Sequence, residues 1–131
     1  MEFTNELYHL NRSVVPEEVI LKWDDFVCKL KEGYTDNVED YDYDLNAIRA
    51  NIGPLLNSKE LHKFTEHKIF CKAIEKIDTK FKELTYEVNF DAPYLKWWEK
   101  RLLKKAGRDY ADFVNESWGE QFGFVVERIS R

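Results

Sequence analysis

A chain of 131 residues, a third of them charged and 15% aromatic, with a formal charge of -5, is long enough for one independent core and short for two. Nine Phe, seven Tyr and four Trp argue against disorder, and five Gly with three Pro leave too few turn positions for an all-β sandwich. The expectation is an all-α, single globular domain over residues 1–131, a bundle or orthogonal stack of five to six helices.

The charge is uneven along the chain. Met1–Asn57 holds five Lys and Arg against twelve Asp and Glu, a balance of -7, whereas Ser58–Arg131 holds fifteen against thirteen, or +2. An acidic half repels nucleic acid and favours a basic protein surface. The opening MEFTNELYHL has no apolar run, and no stretch approaches the roughly 18 apolar residues of a membrane span, so a cytoplasmic setting without membrane attachment is expected. Cys28 and Cys71 lack CxxC spacing and read as buried thiols, with a bridge left open.

In chain order, Phe3, Leu7 and Leu10 recur at helical spacing over residues 2 to 11. Pro16, Glu17 and Glu18 then suit a first helical turn, and Val19, Ile20, Trp23, Phe26, Val27 and Leu30 trace one apolar stripe that Gly33 terminates. Val38, Tyr41, Leu45, Ile48 and Ile52 repeat at threes and fours up to Gly53 and Pro54, which should end that helix. Asn57 or Ser58 can cap a long helix from Leu61 to Leu84, about seven turns, with Lys68, Lys72, Lys76 and Lys80 on its solvated side. Thr85–Asp91 reads as extended. A further helix is predicted from Pro93 to Gly107, with Leu95, Trp98, Leu102 and Ala106 inward, followed by a last helix through Tyr110, Phe113, Val114 and Trp118. Extended structure is admissible near 85–91 and 122–128.

One segment stands out chemically. Between Asp36 and Asp44 lie Asp36, Glu39, Asp40, Asp42 and Asp44 beside Tyr41 and Tyr43, with no Lys or Arg among them. Like charges this close repel unless solvent, a helix N-terminus or a cationic partner compensates. Tyrosine is a residue type favoured at protein interfaces. The segment therefore reads either as a docking surface or as a solvated N-terminal turn suited to the helix macrodipole.

Glu39, Asp40, Tyr41, Asp42, Tyr43 and Asp44 resemble the acidic, tyrosine-bearing surface of bacterial immunity proteins that neutralise polymorphic or contact-dependent toxins. In the helical immunity proteins of DNase colicins, such residues face a basic nuclease. The resemblance is one of chemistry and is confined to the segment around Gly33–Leu56, so neither that family's fold nor its individual positions carry over. It implies stoichiometric inhibition of a cognate basic toxin domain, with Tyr34, Tyr41 and Tyr43 as anchors and Asp36, Glu39, Asp40, Asp42 and Asp44 pairing with Lys or Arg. No catalysis, cofactor or metal is implied.

Two rivals come from other classes. All-α nucleotide hydrolases hold Mg²⁺ with carboxylates on facing helices, and Glu17, Glu18, Asp24, Asp25, Glu39, Asp40 and Asp44 offer acids for this, but Glu17 and Glu18 have Leu21 and Lys22 where a further ligand belongs. A nucleic-acid-binding module would use Lys96, Lys100, Arg101 and Lys104 with Trp97, a weak signal in an acidic chain. His67 and Cys71 share a helix face without two further ligands, and no GxSxG, phosphate-binding Gly loop or HExxH occurs. An exposed aromatic cluster also admits a homodimer.

Overall fold

The computed structural model describes residues 16–58 and 61–129, so the expected helix at residues 2 to 11 lies outside the described residues. Three long helices carry the core: α1 (Pro16–Gly33), α2 (Val38–Asn57) and α3 (Thr65–Glu83). α1 buries Val19, Trp23, Phe26, Val27 and Leu30 of the stripe its spacing predicts against α2 and α3, with Ile20 half-buried at its margin. It ends at Gly33 with φ 128°, a left-handed conformation in which a Cβ would come 2.6 Å from Ile129 Cδ1.

α2 starts where Asn37 accepts a hydrogen bond from the Asp40 amide at 2.8 Å. It runs through Gly53 and Pro54 rather than stopping there: Pro54 removes one intrahelical bond, and the fully buried seats of Ile52 and Leu55 on either side of it offset that loss. α3 begins later than its spacing suggests. Leu61–Phe64 form tight turns, with the Leu61 amide on Ser58 O and the Phe64 amide on Leu61 O. Lys68, Lys72, Lys76 and Lys80 all face solvent.

The predicted helix from Pro93 to Gly107 is absent. Only Trp97–Lys100 turns, as 3₁₀, and the chain then extends as β2 (Arg101–Leu103) and β3 (Lys105–Ala106). β2 pairs antiparallel with β1 (Thr85–Glu87), and β3 pairs parallel with β4 (Glu127–Arg128). Backbone partners from outside the segment decide this: Lys104 N bonds Leu84 O, Gly107 N bonds Tyr34 O, and the Tyr110 hydroxyl accepts from Leu103 N. α4 (Arg108–Val114) continues through a π-helical stretch, Asn115–Gly119, into a last turn, Glu120–Phe122. Among the described residues the protein is thus mostly helical, with four helices rather than five to six, and two small two-stranded sheets in which β1 and β4 lie in the expected extended segments while β2 and β3 replace predicted helix.

Candidate functional site

α2 presents three faces, each with its own chemistry. Tyr41, Leu45, Arg49 and Ile52 turn inward, 1%, 1%, 4% and 0% exposed. Glu39, Asp40 and Tyr43 turn outward, Tyr43 being 76% exposed. Val38, Asp42 and Asn46 form the third face, which looks across to the connection between β1 and β2.

The inward face corrects the expected anchors. Tyr34 and Tyr41 are core residues, not partner-facing ones: their rings pack edge to face at 5.5 Å, and Tyr41 repeats this with Tyr110 at 5.3 Å. Tyr41 is buried because it heads the stripe that docks α2 on α1 and α4. Tyr34 is buried because the turn after Gly33 folds it under the strand junction, where its carbonyl takes the Gly107 amide at 2.6 Å. Both hydroxyls are buried without a hydrogen-bond partner among the described groups, and burial, with the nearby carboxylates adding to it, drives both phenols well above their ordinary pKa.

Below Tyr41 on the same face lies an ionic centre that the sequence reading missed. Arg49 Nη1 and the Trp23 indole N–H both bond Asp78 Oδ1, at 2.8 and 2.9 Å. The guanidinium stacks 4.5 Å from the Trp98 ring and 5.3 Å from those of Trp23 and Trp97. Trp97 also packs against Phe81. Burial lowers the Arg49 pKa and raises that of Asp78, in each case against the opposing influence of the partner.

Across the outward and third faces the acids stay uncompensated. Among the described residues Asp36 alone of the five is ion-paired, with Lys29 at 3.5 Å across solvent. Glu39 and Asp40 lie in the first turn of α2, where the macrodipole favours them; Asp42 and Asp44 lie beyond its reach. Tyr43 stands among them, and Tyr94, 81% exposed, stands on the β1–β2 connection.

The third face closes a pocket of about 350 Å³ lined by Val38, Asp42, Asn46, Phe90, Leu95, Glu99, Leu102 and Trp118. Its walls are held from several directions. Trp98 donates its indole N–H to Asn46 Oδ1 at 2.9 Å, and Asn46 Nδ2 donates to Asp42 O at 2.9 Å, which fixes the connection on α2. Glu99 Oε1 accepts the Lys96 amide at 3.1 Å, which orients the second carboxylate. Phe90 packs edge to face on Trp118 at 5.4 Å and on Phe122 at 5.3 Å. Trp118 is set by the π-helical stretch, which the Asn115 side chain ties to both Val126 N and Val126 O.

Asp42 and Glu99 thus approach one cavity from opposite elements. Asp42 is exposed as a residue, yet where its side chain borders the pocket, desolvation first and the Glu99 charge second push its carboxyl above the usual carboxylate range. Neither acid forms an ion pair among the described residues, and no Lys or Arg lines the pocket.

The residues of the rival readings lie elsewhere. Among the described residues, no three His, Cys, Asp or Glu side chains come together so as to hold a metal ion. A second pocket of about 340 Å³ is lined by Lys82, Glu87, Trp97, Lys100 and Arg101. Arg101 is already committed there: Nε donates to Thr85 Oγ1 at 2.7 Å, Nη2 to Lys82 O and Thr85 O, and Nη1 lies 3.8 Å from Glu87. Lys96 and Lys104 point to solvent, Lys104 over the Tyr86 ring. Cys28 and Cys71 are both free, and Cys28 is exposed rather than buried, since it falls off the apolar stripe of α1. His67 Nε2 sits 2.7 Å from Leu55 O, and its Nδ1 lies 3.6 Å from Cys71 Sγ, whose thiol burial pushes upward in pKa. Among the described residues no helix is long and apolar enough to cross a membrane.

Compared with known protein families, curated proteins and solved structures, the chain matches none.

Proposed function

We propose that this protein is a non-catalytic, immunity-type inhibitor that binds a basic toxin domain, of nuclease class, in the cytoplasm and neutralises it through the acidic face of α2. The observation that carries this reading is the unneutralised carboxylate field of Glu39, Asp40, Asp42 and Asp44, joined by Glu99 and studded with the exposed Tyr43. Such a surface mimics the phosphate field that a nuclease binds, and steers a cationic partner to itself. Tyr43 takes the anchoring role expected of three tyrosines, because Tyr34 and Tyr41 are occupied in the core.

The experiment is affinity capture from the source cell at low salt, followed by assay of the captured protein. A basic protein held at one-to-one stoichiometry, whose nucleic-acid cleavage stops when one equivalent of this chain is added, supports the reading. A captured protein whose activity is unchanged by the chain overturns it.

A nucleic-acid-binding role is favoured by one observation, the Trp97 pocket with Lys82 and Lys100 on its rim. With Arg101 spent on backbone and Thr85, only these two lysines of that pocket face an incoming phosphate. Binding of a single-stranded oligonucleotide that falls steeply with salt and with Lys100→Ala would favour it.

A further inference from the structure

The pocket on the third face of α2 differs from the open acidic surface beside it. Its two carboxylates come from separate elements and share one cavity, and the rest of the lining is apolar or amide: Val38, Phe90, Leu95, Leu102, Trp118 and Asn46. The amide is engaged on both sides, its oxygen by Trp98 and its nitrogen by the Asp42 carbonyl, so it does not compete for either acid. Two like charges facing one cavity with no counterion repel each other, and a single cation between them relieves both. The cavity is therefore complementary in charge to a cation and complementary in surface to a flat one.

We infer that this pocket receives the guanidinium of one arginine from the basic protein partner, an inference that rests on the function proposed above for the existence of that partner. Arginine fits better than lysine for two reasons. Its planar cation is weakly hydrated and stacks on aromatic faces such as those of Phe90 and Trp118, and its fork of N–H donors can reach two acceptors at once. At about 350 Å³ the cavity is at the small end of ligand pockets, sized for a side chain rather than for a helix or strand. The held positions of Glu99, through the Lys96 amide, and of the connection, through Trp98, mean that little ordering is required on entry.

The test uses the full chain, isotopically labelled for NMR, with N-acetyl-arginine methylamide as the probe and the citrulline counterpart, equal in shape but neutral, as its control. Arginine is expected to shift the Trp118 indole and the Asp42 and Glu99 carboxyl resonances saturably, while citrulline does not. The D42N/E99Q variant is expected to weaken this by at least about tenfold. That variant should keep the fold, since Asp42 makes no side-chain hydrogen bond among the described groups and Gln at 99 can still accept the Lys96 amide. Equal shifts from arginine and citrulline, or arginine shifts unchanged in D42N/E99Q, overturn the inference, as does binding of N-acetyl-lysine methylamide at least as tight as that of the blocked arginine, which would mark a site for amines. The two claims fail separately. A partner captured equally by wild type and D42N/E99Q removes the arginine seat and leaves the inhibitor; arginine shifts at Trp118 without any captured partner do the reverse.

Discussion

Replacing Arg49 with Met should destabilise the protein strongly at neutral pH and only weakly in acid. The substitution removes the ion pair to Asp78 at 2.8 Å and leaves that carboxylate with the Trp23 indole as its hydrogen-bond donor. Breaking a buried pair by deleting one partner costs about 3–5 kcal/mol. The Asp78 side chain is 17% exposed, which lets water share the orphaned charge, and Met refills much of the space between Trp23, Trp97 and Trp98. The lower end, about 3 kcal/mol, is therefore expected, a large share of the roughly 5–15 kcal/mol that holds a domain together. The pH dependence follows from the sign of the Asp78 shift. Burial already raises its folded pKa despite Arg49, and without the cation it rises further. A carboxyl whose folded pKa exceeds its unfolded one is favourable to folding when protonated, fully so below the unfolded value of about 4, and that contribution is lost as pH climbs through the folded value. Urea unfolding followed by tryptophan fluorescence should accordingly give a deficit near 3 kcal/mol at pH 7 that shrinks toward pH 4. A deficit below about 1 kcal/mol, or one that grows in acid, would refute the reasoning.

Other consequences can be checked on the same instruments. Tyr41→Phe removes a buried hydroxyl with no partner among the described groups, so unfolding should be unchanged or shifted up by about 1 kcal/mol, whereas Tyr110→Phe deprives the Leu103 amide of its acceptor and should cost about 1–3 kcal/mol. Asp42→Asn should raise the thermal midpoint at pH 7, because burial and Glu99 both hold the Asp42 carboxyl above its unfolded pKa, and the gain should vanish below the carboxylate range, where wild-type Asp42 is itself neutral. Gly33→Ala forces a Cβ into a left-handed turn against Ile129 and should cost about 1–3 kcal/mol by urea titration. Tyr43→Ala should leave unfolding within about 0.5 kcal/mol while lowering affinity for a captured partner by about 2 kcal/mol, measured by calorimetry.

Much of the helical frame was legible from local pattern. The α1 stripe from Val19 to Leu30 is buried as its spacing requires, and the lysine ladder of α3 is solvated as its charge requires. The stretch from Leu95 to Gly107 misled because Leu95, Trp98, Leu102 and Ala106 mimic a helical period while its backbone groups bond to Leu84, Val88, Tyr34 and the tail at Glu127 and Ile129, segments no local pattern can reveal. Gly53 and Pro54 misled because the burial of Ile52 and Leu55 on either side of them outweighs the one helical bond that Pro54 removes. In the candidate site, the acids were visible because they are contiguous. Tyr41 carried its own correction, since the period that places Leu45 and Ile52 in the core places Tyr41 with them. The pocket was not readable, because Asp42, Phe90, Glu99 and Trp118 meet only through the β1–β2 connection and the π-helical turn. A lone Arg49 on α2 was the one available hint of the buried pair with Asp78, as a cation on an apolar stripe calls for a partner.

The most direct test of the inhibitor reading is paired capture from the source cell at low salt, with wild type and the doubly reversed Asp40→Lys, Asp42→Lys protein as baits. A basic protein retained at one-to-one stoichiometry by wild type and lost by the reversed bait is the expected result. The same proteins on both baits, or none on either, would contradict it.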